Sequence, residues 1–493
     1  MVDVADTTPV LVGVAAFQQH NADYAQALEP IAIMERALRD AADDAGSAAL
    51  LARAAEMLVP KGIWEYSDPA RLLADALGAD SAATVLAEIG VSQQTLLTRA
   101  CQKISSGEAD VMLVAGAEAK YRALCAAKAG EQAAETEQND VQPDVLLLPE
   151  KEIWSEVESA AGLAMPVGYY AIMDSALRYQ QGLSPGEQRR QIGQMYQRFS
   201  EVAADNPDAW VRDPVAADHI SEPSPGNRML SFPYTKLHNS QWNVDQGAGL
   251  IFCSAAVARE LGIAPEKWVF PRAFAESNFM STVSSRGDLG ACPGFRLAGE
   301  TAMRRAGVSF DDIRLRELYS CFPMAVRSQL EEFGMSGEGD LTVTGAMTFG
   351  GGPLNNFVFQ ATVRMAQLLR QQPQEVGLVT TVSGMLTKQG VALWSGQPNP
   401  DGWVFDDVTE QVREASDVRE LVADYSGLAT VAGYTVLYNP GPGPWRAIAV
   451  FDLPDGRRTT AYSEDPAVMA AMEERECCGE SYQLAAGVFR PLD

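Results

Sequence analysis

LLTRACQKISSGEADVMLVAGAE, residues 96–118, decides the architecture. Apolar residues recur at helical spacing up to Ser105–Ser106–Gly107, where the polar turn SSGEAD interrupts them, and a solidly apolar strand follows. A strand apolar on both faces is one covered by helices on both sides, as in a mostly parallel sheet. Residues 362–385, TVRMAQLLRQQPQEVGLVTTVSGM, repeat the design: amphipathic helix, short polar turn, buried strand ending in glycine. Two such units predict two similar halves packed together.

Working outward, PVLVGVA (9–15) reads as a strand, 28–46 as a helix and 56–60 as a further apolar segment. A strand at 84–89, a helix at 92–106 and a strand at 110–118 complete an α/β alternation. From 119 to 235 an acidic, Gln-rich piece gives way to long helical stretches, an expected helical insertion. The α/β pattern resumes at DQGAGLIFCSAAVARE (245–260) and continues through a helix at 297–307, RLRELYS and a helix at 323–333. After Pro398 short β-type runs separated by NPGPGP and PDGRR turns predict a small, separable barrel or sandwich. The expected units are 1–260 with the insertion, 261–398, and 399–493.

At 493 residues, 47% hydrophobic and 21% charged, the chain is too long for one simple core. A net charge of −27 repels nucleic acid and anionic membranes, so neither is an expected partner. An anionic ligand needs a locally basic pocket. The seven cysteines include no CxxC pair and the three histidines are dispersed, so no metal site is expected, and Cys477–Cys478 carries no metal signature. Reduced thiols in a cytoplasmic protein, with no signal peptide and no membrane-length apolar run, are the simplest reading.

Three stretches together carry a family resemblance. CQKISSGEADVMLVAGAEA resembles the segment that follows the nucleophilic cysteine of thiolases; RELYSCFP resembles the HDCF motif of sterol-carrier-protein-type thiolases; and GGGPLNN stands where thiolases carry Gly-His-Pro. SPGNRMLSFPYTKLHNSQWNVDQGAG and SGMLTKQGVALWS resemble, more narrowly, thiolase-like proteins of type 1, often labelled acetyl-CoA acetyltransferases, with an additional C-terminal domain. The resemblance implies the duplicated five-layer α/β/α/β/α thiolase fold, a helical loop domain and an OB-like C-terminal barrel. It also implies acyltransferase descent, coenzyme A or an acyl-CoA as ligand with no covalently bound cofactor, a place in lipid metabolism, and a homodimer or a monomer.

A thiolase forms its acyl-enzyme on a cysteine at a helix N-terminus, where backbone N–H groups lower the thiol pKa. Counted back without a gap, that position falls on Gly90, and the activating histidine falls on Gly352. Tyr319 and Ser320 open the third motif, and Cys321 alone of the matched chemical positions is unchanged. Ser92 reads as the cap of its helix. Cys321 is either a site residue or a buried structural thiol. Gly352, Asn355, Asn356 and Gly384 could serve as oxyanion or turn groups, the glycine-rich turn offering N–H groups and amides to a thioester oxygen or a phosphate. Arg228, Lys236 and Ser240 are the coenzyme A candidates, Lys388 is a further one near a buried strand end, and His219 and His238 read as loop or packing residues. Two functions remain open: a working acyl-CoA pocket without ordinary thiolysis, or a catalytically silent scaffold that binds coenzyme A or a protein partner.

Overall fold

A computed structural model describes residues 4–139, 141–151, 153–438 and 443–492. The first half runs β1 (Pro9–Gln18), α1 (Pro30–Ala45), the single turn α2 (Ala49–Ala52), β2 (Glu56–Pro60), α3 (Pro69–Leu77), β3 (Ala83–Ala87), α4 (Gln93–Ser105) and β4 (Val111–Ala119). The insertion supplies α5 (Lys120–Lys128), β5 (Val145–Leu147), α6 (Glu156–Ala161), α7 (Pro166–Gln180), α8 (Pro185–Ala204), α9 (Ala217–Ser221), β6 (Met229–Ser231) and β7 (Tyr234–Thr235). It is largely helical, as expected. The chain then returns through β8 (Asp245–Ser254) and α10 (Ala255–Glu260).

The second half comprises β9 (Phe270–Ser277), α11 (Pro293–Ala306), β10 (Leu315–Glu317), α12 (Pro323–Phe333), α13 (Phe357–Gln371), β11 (Val376–Ser383) and β12 (Lys388–Ser395). The order β3-β2-β4-β8-β1 in one sheet is echoed by β10-β11-β12-β9 in the other, with β2, β4, β8 and β1 answering to β10, β11, β12 and β9. The repeat read in the sequence is therefore a topological duplication.

Helices α4 and α13 both lie between the two sheets, α1 and α3 cover the first sheet's outer face, and α11 packs on the outer face of the second. This is the five-layer arrangement. It explains why α4 buries Gln93, Gln94 and Thr98 along with Leu96, Leu97 and Ile104: the first turns of a central-layer helix have no solvent face, and α4 is exposed only at its end, at Gln102 and Ser105.

β13 (Val404–Asp407) and α14 (Thr409–Ala415) complete the second sheet's far edge, β13 running parallel to β9. The C-terminal strands are β14 (Gly427–Tyr438), β15 (Pro444–Asp452), β16 (Arg458–Ser463), β17 (Ser481–Ala485) and β18 (Val488–Arg490), with α15 (Pro466–Glu474) between β16 and β17. β14 pairs with both β15 and β17, closing a five-stranded barrel. The expected boundary at 399 thus precedes β13, whereas the barrel strands begin at Gly427. The expected NPGPGP turn falls at 439–444, and residues 439–442 of it lie outside the described residues.

The barrel is not a detached module. β6, from the insertion, adds to β14 through the Ser231–Leu437 pair, and the Tyr434 N–H donates to Ser175 Oγ at 2.8 Å. Arg178, fully buried on α7, donates to Glu476 (2.7 Å) and to the Tyr434 hydroxyl (2.7 Å). Ile448 and Val450 on β15 join the main core, while Ala447, Ala449 and Phe451 face the barrel's own core. That is the period-2 alternation of a strand buried on both sides.

Candidate functional site

The C-terminal ends of β2, β3 and β4, the end of β10, and the turn leading into α13 converge on one region, where open α/β sheets hold their ligands. After β10 the chain reads Leu318-Tyr319-Ser320-Cys321 and enters α12 at Pro323. Glu317 anchors this end. Its buried carboxylate accepts from the Val343 and Thr344 N–H groups (2.8 and 2.9 Å) and from Thr342 Oγ (2.9 Å), pinning the start of the glycine turn to the strand. Burial nonetheless pushes its carboxyl up to about 7.

Three segments are stitched together here. The Ser240 N–H donates to the Cys321 carbonyl (3.0 Å), the Gln241 N–H to the Met347 carbonyl (2.9 Å), and the Gly352 N–H to the Gln241 carbonyl (2.9 Å). Ser320 Oγ accepts from the Met347 N–H at 3.1 Å, and the Tyr319 N–H donates to Thr380 Oγ at 2.7 Å. The backbone is strained where these meet: Ala346 (φ 59°) and Leu354 (φ 43°) in the glycine turn and Leu386 (φ 55°) beside Gly384 are left-handed non-glycines. Such outliers persist where surrounding structure over-determines them, and they cluster at functional sites.

The Cys321 thiol is buried, which pushes it up to about 12; the Tyr170 phenol, in hydrogen-bond contact with the sulfur, pulls the other way. Tyr170 also donates to the Gly384 carbonyl at 3.2 Å, so it ties two expected site positions together. At neutral pH the sulfur is therefore a neutral thiol. Tyr319 is buried against Phe357 (ring centroids 5.9 Å apart), and burial raises its phenol well above the ordinary range.

Gly90 precedes α4 with φ 102°, a conformation that L side chains rarely adopt. A Cβ there would stand 3.0 Å from Pro149 Cβ and 3.1 Å from its Cγ. Ser92 sits at the N-cap position, but the cap reading of its side chain is overturned. Its hydroxyl makes no cap hydrogen bond and is buried without a partner, and the N3 amide, that of Thr95, donates to the Ser92 carbonyl instead at 3.1 Å. Space beside Gly352 is taken as well: a Cβ would lie 1.8 Å from Ser240 Oγ.

The two asparagines part company. Asn355 Nδ2 is spent on the Lys61 carbonyl at 2.8 Å. Asn356, which is 1% exposed, has neither Oδ1 nor Nδ2 partnered. Near it, Glu118 at the end of β4 accepts from the Ile63 N–H through Oε1 (2.8 Å), while its Oε2 is buried and unpartnered; burial pushes this carboxyl up to about 7. The sequence reading missed Glu118, although it closes the quoted 96–118 stretch.

Arg228, Lys236 and Ser240, proposed together from sequence, line one cavity of about 360 Å³, with Trp242, Asn239 and Asn243. Neither Arg228 nor Lys236 forms an ion pair among the described residues, and the Lys120 ammonium lies 4.7 Å from the Trp242 ring centroid. Of the lining residues, Ser240 also meets the Cys321 carbonyl through its N–H and lies against Gly352. Lys388 is buried at the start of β12, its ammonium lowered by burial, with Glu150 and Glu276 nearby. His238 is also buried: its Nδ1 accepts from the Thr235 N–H (3.1 Å) and burial pushes it down to about 3, which suits a neutral packing residue. Cys477 and Cys478 lie in the barrel core.

No family model matches the chain. An acetyl-CoA acetyltransferase of Methanocaldococcus jannaschii is 24% identical over 272 residues, 55% of this chain and 62% of that protein. A 3-ketoacyl-CoA thiolase of Psychrobacter cryohalolentis is 27% identical over 149 residues, 30% of this chain and 35% of the relative. The chain thus spans less than two thirds of the curated relatives it matches. Among solved structures, a monomeric SCP2-thiolase-like protein type 1 from Mycobacterium smegmatis superposes with a TM-score of 0.85 at 28% identity, covering 99% of this chain and all of the other. The human mitochondrial 3-ketoacyl-CoA thiolase in complex with CoA shares the fold, with a TM-score of 0.55 at 15% identity, covering 79% of this chain and 98% of the other.

With its duplicated five-layer body, the chain belongs to the thiolase superfamily. Its scaffold is thiolase-like, similar to that of acetyl-CoA acetyltransferases, with a small barrel at its C-terminal end.

Proposed function

We propose that this protein binds a coenzyme A thioester, that its cysteine-based thiolysis is inoperative, and that its chemistry is proton transfer or carbon–carbon bond cleavage at the glycine-turn site. The observation that carries the reading is the shared cavity. In a chain of net charge −27, two cations without carboxylate partners line one opening with Ser240, whose far side abuts Gly352 and Cys321. A phosphate-bearing ligand supplies the missing anions. Gly90 offers no side chain to acylate and Gly352 none to activate it, so no acyl-enzyme can form at those positions.

Isothermal calorimetry with coenzyme A tests this. Micromolar or tighter binding that weakens with added salt is expected; no heat at any salt concentration would sink it. One observation favours a silent scaffold: Pro149, Ser240 and, at Gly384, Thr387 and Ile153 fill the space beside three of the site glycines. Binding without turnover of any acyl-CoA would support that second reading. A cytoplasmic homodimer or monomer accords with either reading. No helix among the described residues is long and apolar enough to cross a membrane.

A further inference from the structure

The end of the first sheet carries an unmet demand for hydrogen bonds. Glu118 on β4 stands directly across from Gln246 on β8, and Gly116, two residues before Glu118, lies on the same face. That face looks at the glycine turn: Gln246 Nε2 donates to the Gly350 carbonyl at 2.9 Å, and a Cβ on Gly116 would stand 2.8 Å from Asn356 Oδ1. Glu118 Oε2, Gln246 Oε1 and both polar atoms of Asn356 are buried without partners, and the three residues are 2%, 0% and 1% exposed. Each such orphan costs about 1–3 kcal/mol, so a cluster of them around one turn calls for a polar guest. The guest must supply hydrogens for the acceptors and an oxygen for the Asn356 amide.

An acyl thioester meets the two demands that matter for chemistry: its carbonyl oxygen can accept from the Asn356 amide, and its acidic α-C–H can face the free Glu118 oxygen. Resting on the thioester-binding reading above, we propose that Glu118 is the base that removes a proton from the α-carbon of the bound acyl group, with Asn356 as oxyanion donor and Gln246 as the positioning residue. In this step the C–H bond breaks and its proton passes to Glu118 Oε2. The C–H electron pair forms the enolate double bond, and the carbonyl π pair moves onto oxygen, which accepts from Asn356 Nδ2. Return of the proton regenerates the thioester, so no co-reactant is consumed. Glu118 is better matched to the task than Cys321. Its carboxyl sits at about 7, where a base is both ionised and strong enough, whereas the thiol at about 12 stays protonated. The charged groups facing Glu118 are Lys61 on the loop after β2, Lys120 at the start of α5, and Glu135 beyond it.

The experiment is hydrogen–deuterium exchange at the α-carbon of propionyl-CoA in D₂O, followed by mass spectrometry, with coenzyme A affinity measured in parallel. Wild-type protein is expected to exchange the α-hydrogens, with a rate that rises through pH about 7 and then levels. Glu118→Gln should lower the rate on the order of 100-fold or more at unchanged affinity. Glu118→Asp should restore part of it with a displaced pH profile. If Glu118→Gln does not fold, Asn356→Ser carries the test and should slow exchange at least ten-fold, roughly the loss of one oxyanion donor. Wild-type protein that binds coenzyme A but leaves propionyl-CoA unexchanged overturns the inference and spares the binding reading, as does undiminished exchange in a folded Glu118→Gln or, where that variant does not fold, in Asn356→Ser. Absence of coenzyme A binding overturns both.

Discussion

Restoring a cysteine at Gly90 is the perturbation that bears hardest on the loss of thiolysis. Gly90 has φ 102°, beyond the left-handed helical well, so any L side chain is strained there by about 1–2 kcal/mol or more. The new Cβ would also meet Pro149 Cβ and Cγ at 3.0 and 3.1 Å, and overpacking of this kind costs about 1–3 kcal/mol. Together Gly90→Cys should destabilise the protein by roughly 2–5 kcal/mol, a large fraction of an ordinary folding free energy. Gly90→Ala carries the same backbone and Cβ terms without the thiol and should lose nearly as much.

The two terms can be separated. Pro149→Gly removes the facing ring, so the double variant Gly90→Cys/Pro149→Gly should recover the steric part and keep the backbone part. Thermal midpoints of the four proteins, each measured at the same scan rate, read this directly; a drop of several degrees is expected for the single Gly90 variants. In the same preparations Gly90→Cys should not gain acetoacetyl-CoA thiolysis, because Gly352 supplies no imidazole and Ser240 holds the space one would need. A Gly90→Cys protein as stable as wild type that also cleaves acetoacetyl-CoA would refute the reasoning on both counts.

Three further outcomes are expected. Glu276 is buried with Oε2 unpartnered, and burial pushes it up to about 7 from an ordinary 4.5; the folded state therefore holds its proton more tightly, and stability falls as pH rises from about 4.5 to 7. Glu276→Gln should consequently raise stability by roughly 3 kcal/mol at pH 8 and leave it nearly unchanged at pH 4.5, seen as a thermal-midpoint gap that opens with pH. Arg228→Ala and Lys236→Ala should each weaken coenzyme A binding by calorimetry about three- to five-fold at low salt, the worth of an exposed charge, and by less at 0.5 M salt. Truncation after Pro398 should yield insoluble chain by size-exclusion and circular dichroism, since it strips Glu476 from the buried Arg178 guanidinium, a loss of about 3–5 kcal/mol, and bares α7.

The body of the fold was legible because its signal is local. Helical and strand periodicity needs only neighbouring residues, and the repeat of 96–118 at 362–385 is one such pattern met twice; α12 falls on the 323–333 window and β2 on 56–60. What escaped is set by partners distant in sequence. The reading of a separable barrel could not see β6 and α7, which pack on the closed barrel from some two hundred residues upstream, as the Ser231–Leu437 pair shows, and SFPYT carries no sign of which strand it will join. Ser92 occupies the expected cap position, yet its hydroxyl is idle, and the Thr95 N–H that it could have capped donates to the Ser92 carbonyl.

The site divides along the same line. Arg228, Lys236 and Ser240 were legible as a group, since isolated positive charges in an acidic chain stand out, and they do line one cavity. Asn355 and Asn356 are indistinguishable in GGGPLNN, but the first is consumed by the Lys61 carbonyl and only the second is free to meet a ligand. Glu118 was invisible for the opposite reason: a glutamate closing an apolar strand ordinarily turns outward to water. It is the meeting of β4 with β8, the loop after β2 and the glycine turn that encloses it and leaves one oxygen without a donor. A residue whose chemistry comes from enclosure has no signature in its own sequence neighbourhood. The absence of a cysteine at Gly90 and of a histidine at Gly352 was readable from the chain, whereas any group that takes over their proton-handling has to be sought among buried polar atoms with nothing to bond.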